Sequence, residues 1–257
     1  MILDDIVLYR KEQLKREKRK ISPVGMEWLA SECQRIPLDF KAAISAPGIN
    51  IISEVKKASP SKGIISADFH PVETAVGYEK SGAAAISVLT EEHYFMGSGE
   101  YLQEIRKAVN IPLLRKDFII DPYQIYEAKV LGADAVLLIA ALLSADEMRE
   151  YIALAKSLGL AALCESHNRE ELEICLCAGA EIFGINNRNL KTFEVSLDIT
   201  AELSKLVPEG AVLVSESGMF TEEDIRKAAM SGANAALIGE SLMRDPTLLR
   251  RLKGASI

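Results

Sequence analysis

Mostly apolar runs, short and without strict alternation, recur along the chain at residues 49–52, 84–89, 112–114, 135–139, 160–163, 182–185, 211–214 and 235–238. Such runs predict strands buried on both faces, as in a parallel sheet. Between them, residues 71–80, 100–109, 123–131, 145–157, 169–177, 197–206 and 222–230 place apolar side chains three and four positions apart, which predicts helices. Ser144 and Thr221 stand where N-caps belong, and acids fill the turn after Thr221. A repeated pair, Gly82-Ala83, Gly132-Ala133, Gly179-Ala180 and Gly232-Ala233, follows a helical pattern and precedes an apolar run each time. Glycine ends the helix in a left-handed turn, and alanine lets the chain enter a buried strand. Eight strands alternating with helices predict a (β/α)8 barrel, closed by a short helix near residues 246–252. Residues 1–47 lie outside the repeat. They open with a helix over 2–20 whose Ile6, Tyr9, Gln13 and Leu14 share one side, so the expectation is one domain of 257 residues, an N-terminal helical extension (1–47) packed on a barrel (48–257).

In this architecture the C-terminal strand ends face the active site. They carry Glu54 and Lys56, Leu89, Lys116, Ile139, Glu165, Asn186, Glu216 with Ser217, and Gly239. Any one charge there reads as well as an ion pair bracing the barrel mouth. Five ionisable groups from four strands, with Asn186 and Arg188 beside them, do not, because apolar side chains would fill a purely structural mouth at less cost. The segments Ser215-Glu216-Ser217-Gly218 and Ile238-Gly239-Glu240-Ser241 follow strands seven and eight, where barrels often hold a phosphate. Gly218 and Gly239 let backbone N–H groups approach an anion, and a short helix starting near Glu240 adds its positive end. Glycine-rich turns are common in any barrel; their position after these two strands is what favours phosphate.

Composition narrows the field. With 30 basic against 37 acidic residues and a net charge of −7, the chain is a poor nucleic-acid binder. The longest apolar run, 135–143, is too short to span a bilayer. The opening Met1-Ile2-Leu3-Asp4-Asp5 lacks the basic start and apolar stretch of a secretory signal, so a cytoplasmic location is expected. The basic run Lys15 to Lys20 reads as a solvated helix end facing the negative pole of its own dipole; the alternative is a basic helix leaning over an anion site. Cys33, Cys164, Cys175 and Cys177, with His70, His93 and His167, show neither disulfide nor zinc spacing. They read as buried thiols and solvent-facing imidazoles, and no metal is expected.

Several stretches, in order and spacing, resemble the indole-3-glycerol-phosphate synthase family across nearly the whole chain, extension included. They are Ile52-Ser53-Glu54-Val55-Lys56-Lys57-Ala58-Ser59-Pro60-Ser61, Leu89-Thr90-Glu91 with Tyr94-Phe95-Met96-Gly97-Ser98, and Leu114-Arg115-Lys116-Asp117-Phe118-Ile119. Gly184-Ile185-Asn186-Asn187-Arg188-Asn189-Leu190 and the two glycine-bearing segments above complete the set. Ser166, between Glu165 and His167, and Cys164 stand where the family commonly has apolar residues. The resemblance implies ring closure of 1-(2-carboxyphenylamino)-1-deoxyribulose 5-phosphate to indole-3-glycerol phosphate, with loss of carbon dioxide and water and without cofactor, metal or obligatory protein partner. It makes Lys116 the acid at the ketone, Lys56 a contact to the substrate carboxylate, and Glu165 the group serving dehydration. Glu54 positions the lysines, Asn186 orients substrate, Arg188 braces the carboxylates, and Glu216 and Ser217 complete the polar wall. Ser59, Ser217, Gly218, Gly239 and the backbone of Glu240 are implied for phosphate, Phe95 and Leu237 for the aromatic ring. The nearest rivals are phosphoribosylanthranilate isomerase, for which no cysteine stands at the first strand end, and the tryptophan synthase α subunit. A barrel that only binds a phosphorylated ligand is a rival of another class; it would have no need of Lys116 facing Glu165 from the opposite wall.

Overall fold

Each apolar run becomes a strand, and the strands close on one another in sequence order. The computed structural model describes residues 2–190, 192–245 and 247–253. Its strands are β1 (Asn50–Val55), β2 (Ala85–Leu89), β3 (Leu113–Lys116), β4 (Ala135–Ile139), β5 (Ala161–Ser166), β6 (Ile182–Asn186), β7 (Val212–Glu216) and β8 (Ala235–Ile238). All neighbours are parallel, and β1 closes the barrel by pairing with β8 (Asn50 opposite Ala235) as well as with β2 (Ile52 opposite Ala85). This is the (β/α)8 barrel expected from the pattern.

The runs lack alternation because both strand faces are buried. Ile52, Leu114, Leu137, Leu163 and Val214 fill the interior, whereas Ile51, Ile86, Leu138, Phe183 and Leu213 pack outward among the helices. Each such side chain contributes about 1.5–3 kcal/mol by leaving water.

The surrounding helices are α4 (Pro71–Lys80), α5 (Gly99–Ala108), α6 (Tyr123–Leu131), α7 (Ala145–Ser157), α8 (Arg169–Ala178), α9 (Asp198–Leu203), α10 (Glu222–Met230), α11 (Glu240–Arg244) and α12 (Leu248–Lys253). Ser144 and Thr221 both cap as expected, each in a reciprocal capping box with Glu147 and Asp224. The span expected for 197–206 divides, with a 3₁₀ turn over Ser204–Leu206 after α9. The expected last helix is α12; Pro246, where it was expected to begin, lies outside the described residues, as do residues 254–257.

Before the barrel come α1 (Ile2–Lys20), α2 (Pro23–Glu32) and α3 (Phe40–Ile44). Phe40 and Ile44 join the interior cluster beside Ile182, Val212 and Ala235, so α3 plugs the N-terminal end of the barrel and leaves only the opposite mouth open. A buried ionic network holds α1 beside the end of β3. Arg10, 1% exposed, reaches Asp117 (3.6 Å) and Glu17 (3.0 Å), while Arg115 reaches Asp117 (3.1 Å) and Glu127 (2.6 Å). The basic stretch of α1 points into solvent or is paired, Lys15 locally with Glu12 and Lys18 with Asp121 of the segment after β3, and none of it borders the mouth.

Candidate active site

Five strands run one to three residues beyond their apolar stretch, and each extension carries a polar site residue. β1 carries Glu54, β3 Lys116, β5 Glu165, β6 Asn186 and β7 Glu216. Together with Lys56, Ser59, Phe95, Arg188, Ser217, Gly218, Leu237, Gly239 and Glu240 they line one cavity at the open mouth, so every residue proposed from the sequence is brought to it.

Two clusters of charge form the floor. The Lys56 ammonium is hydrogen-bonded to Glu54 Oε1. The Lys116 ammonium sits 2.7 Å from Glu165 Oε2 and 3.0 Å from Glu216 Oε2. Lys116 and Glu165 therefore touch, and do not face each other across the mouth as the sequence reading supposed. β3 and β5 are separated by β4 alone, and both side chains line the cavity. Burial works against the charge on Lys116, but Glu165 and Glu216 outweigh it and hold the ammonium firmly protonated. Burial pushes Glu165 up; Lys116 and His167 overcome it and hold that carboxyl well below the usual range. Burial and the neighbouring Glu165 charge push Glu216 the other way, to about 8, against the pull of Lys116. Two carboxyls on one cation with opposed proton affinities are the arrangement expected of acid–base chemistry.

Glycines make room for these carboxylates. A Cβ on Gly239 would collide with Glu54 Oε1 and lie 2.8 Å from Lys56 Nζ; one on Gly184 would collide with Glu216 Oε1. The Cα of Gly239 thus faces the Glu54–Lys56 pair.

One wall is apolar. Phe95 lies 5.9 Å from Phe118, centroid to centroid, with Leu237, Leu89 and Ile139 also bordering the space. Phe95 is fixed from behind: the buried Glu91 carboxylate accepts the backbone N–H groups of His93 (3.0 Å), Tyr94 (2.7 Å) and Phe95 (2.9 Å). The first turn of α1 adds Ile2, Leu3 and Ile6 to the rim. The sequence missed this contribution; the amphipathic face through Ile6 was its only signal.

The opposite wall is backbone. Ser217 (φ 65°) and Gly218 (φ 86°) are consecutive left-handed residues, a costly conformation for serine. Buried Asn187 holds the turn, donating to the carbonyls of Glu216 (3.0 Å) and Ser217 (3.1 Å) and to Ser215 Oγ (3.0 Å). Ser241 Oγ donates to the Met219 carbonyl (3.0 Å), tying this loop to the start of α11. Glu240 borders the cavity, and its carboxylate accepts Arg244 Nε (3.1 Å). Ser59 sits in a small hairpin, Ala58–Ser59 with Gly63–Ile64, beside the mouth. The guanidinium of Arg188 donates to the Phe193 carbonyl (3.3 Å), and its N–H to Asn186 Oδ1 (3.1 Å).

His70 and His93 are exposed, but His167 is not the solvent-facing imidazole expected. It is buried between Glu165 and Glu171, since the turn from β5 into α8 folds back over the strand end. Among the cysteines only Cys164 and Cys175 are buried; Cys33 is half-buried and Cys177 exposed. Among the described residues, no three His, Cys, Asp or Glu side chains gather so as to hold a metal ion.

A family model described as indole-3-glycerol phosphate synthase matches residues 3–253. Curated relatives of that name include the protein of Endomicrobium trichonymphae, 52% identical over 255 residues, covering 98% of each chain. That of Alkaliphilus metalliredigens is 51% identical over 254 residues, covering 98% of this chain and 97% of its own. That of Lachnoclostridium phytofermentans is 45% identical over 268 residues, covering 98% and 99%.

Proposed function

The chain belongs to the indole-3-glycerol phosphate synthase family, carboxy-lyases of tryptophan biosynthesis, and we propose how its own residues divide the work of closing the indole ring. The substrate is 1-(2-carboxyphenylamino)-1-deoxyribulose 5-phosphate. Its phosphate meets the backbone N–H groups at Ser217, Gly218, Gly239 and Glu240, with Ser59 closing from the hairpin. Its aromatic ring lies between Phe95 and Leu237, with Phe118 beside it, and its carboxylate is met by Lys56. Asn186 orients the substrate, and Arg188 braces the carboxylates from the β6 loop.

Lys116 gives a proton to the ketone oxygen while the ring carbon bearing the carboxylate attacks the ketone carbon. Carbon dioxide then leaves, and the electrons of the broken bond restore the aromatic ring. Glu165 then takes a proton from the adjacent CH₂ while the Lys56 ammonium, freed of the departed carboxylate, gives the new hydroxyl the proton with which it leaves as water. Glu54 positions Lys56, and Glu216 completes the polar wall with Ser217. The observation that carries this reading is the Lys116 ammonium held between Glu165 at 2.7 Å and Glu216 at 3.0 Å, with an apolar slot and a backbone-lined turn around it. Opposed proton affinities of the two carboxyls support separate roles for them.

Residues 1–257 act as one domain in this reading, which the contribution of Ile2, Leu3 and Ile6 to the cavity rim supports. A cytoplasmic location agrees with four free thiols and an acidic net charge, and no obligatory protein partner is proposed. No described helix is long and apolar enough to cross a membrane. Mixing the protein with the substrate and following indole fluorescence is the direct test. Steady growth supports the proposal; a flat trace from protein that still binds the substrate would refute it.

A further inference from the structure

The proposed chemistry uses Glu165 but leaves His167 and Glu171 without a task. The His167 side chain is 6% exposed, and its Nε2 lies 3.3 Å from Glu165 Oε1, in ion-pair range but not aligned as a hydrogen bond. Its Nδ1 lies 2.9 Å from Glu171 Oε2, and that oxygen also accepts the His167 backbone N–H at 2.8 Å. The other Glu171 oxygen accepts Asn168 Nδ2 (2.8 Å), and the Glu171 N–H donates to Asn168 Oδ1 (2.9 Å). Three backbone and side-chain bonds thus fix Glu171 in the first turn of α8, and Glu171 fixes the ring.

Helix capping does not explain the imidazole. Asn168 already caps α8, and an apolar side chain would fill the space between β5 and α8 at less cost than a buried ring between two carboxylates. The ring is aimed at one acid–base residue and clamped by an acid that is 18% exposed.

We propose that His167, clamped by Glu171, is a positioning residue for Glu165, supplying a fixed cation that keeps the Glu165 carboxylate ionised and turned toward Lys116. The inference rests on the assignment of Glu165 to the dehydration step. Its physical content is a count of charges. Burial disfavours the imidazolium, but the ion-pair contact with Glu165, the Nδ1 bond to Glu171 and the charges of both lift it to about 9, so the ring is cationic at neutral pH. Glu216, from β7, is pushed to about 8 and is largely neutral below that pH. Glu54 lies beyond Lys116, and the Cys175 thiol of α8 is pushed up to about 12 by burial and stays neutral. In the free enzyme Glu165 therefore has two cationic neighbours, Lys116 and His167. During ring closure Lys116 turns to the ketone oxygen and gives up its proton, and His167 is the one that remains. Without it, a carboxylate 3% exposed would take up a proton and could no longer act as a base.

The test is a pH titration of full-length protein carrying ¹³C-labelled glutamate carboxyls, with the Glu165 resonance assigned by its loss in Glu165→Gln. His167→Gln removes the cation; Glu171→Gln leaves the ring but removes its clamp, and covers the case in which the first variant fails to fold. In both, the Glu165 midpoint should rise by about 1–3 pH units, the size expected for an opposite charge at this range. The acid limb of kcat/KM should move up with it. An unmoved midpoint in a folded variant would overturn the proposal, even if turnover fell. A raised midpoint beside a fully active Glu165→Gln would uphold the coupling and sink the catalytic assignment of Glu165 instead.

Discussion

Replacing Lys116 with methionine keeps the stem in the barrel and removes the proton donor. If Lys116 protonates the ketone oxygen, its contribution is made mainly in the transition state, so kcat should fall by about 10²–10⁴. KM should change little, because the phosphate turn, the Phe95–Leu237 slot and Lys56 remain. The same change strips the shared cation from Glu165 and Glu216, which are 3% and 1% exposed. Removing one partner of such a buried pair costs about 3–5 kcal/mol, less whatever is recovered by protonation. The sign of the pH effect follows. Without Lys116, Glu216 rises further above the unfolded value of 4.5 and Glu165 rises from the low value that Lys116 had held, so each keeps its proton to higher pH than in wild type. A carboxyl raised in the folded state contributes stability that is present below its unfolded value and lost as pH rises through its folded one. The deficit in melting temperature against wild type should therefore be larger at pH 8 than at pH 5. Steady-state fluorescence gives kcat and KM, and thermal scans at the two pH values give the deficit. Near-normal kcat with a raised KM would make Lys116 an anchor and move the search for the acid to Lys56.

Three further outcomes are expected. Gly239→Ala should lower kcat as well as raise KM, since its Cβ lands on the Glu54–Lys56 pair before it reaches a phosphate; a pure KM effect in steady-state assays would contradict this. Glu216→Gln should lessen the loss of stability between about pH 5 and 8, because the raised carboxyl that titrates in that window is gone; parallel wild-type and variant melting curves would argue against it. Stiffening the exposed segment around Lys62 and Gly63, whose neighbours Pro60 and Ser61 border the cavity, should reduce turnover more than phosphate affinity, as measured by kcat against inhibition by inorganic phosphate.

The barrel was legible because its strands are buried on both faces, which leaves an unbroken apolar signature, and because glycines punctuate the helices. Strand ends were less so. The apolar stretch stops where function begins: in β5 it ends at 163, whereas the strand continues through Cys164, Glu165 and Ser166. Short helices also escaped: α3 is a single turn without room for periodicity, although Asp39 caps it, and α2 showed only Ser22 as cap with Pro23 behind it. The site residues were legible because each polar side chain interrupts an apolar context at a strand end. Their pairing was not, since contact between Lys116 and Glu165 depends on barrel curvature. Neither was the burial of Arg10, because a charge met by partners far along the chain looks the same in sequence as one met by water, nor that of His167, whose near neighbours Glu165 and Glu171 enclose the ring only through the turn from β5 into α8. Gly184 had no signal of its own; the carboxylate that needs its bare Cα comes from the next strand.

The account stands most directly on the fate of the substrate carboxylate. With 1-(2-carboxyphenylamino)-1-deoxyribulose 5-phosphate labelled with ¹³C in that carboxylate, a single turnover should release labelled carbon dioxide and unlabelled indole-3-glycerol phosphate in equal amounts. Label retained in a rearranged product, or substrate recovered intact from the bound state, would contradict it.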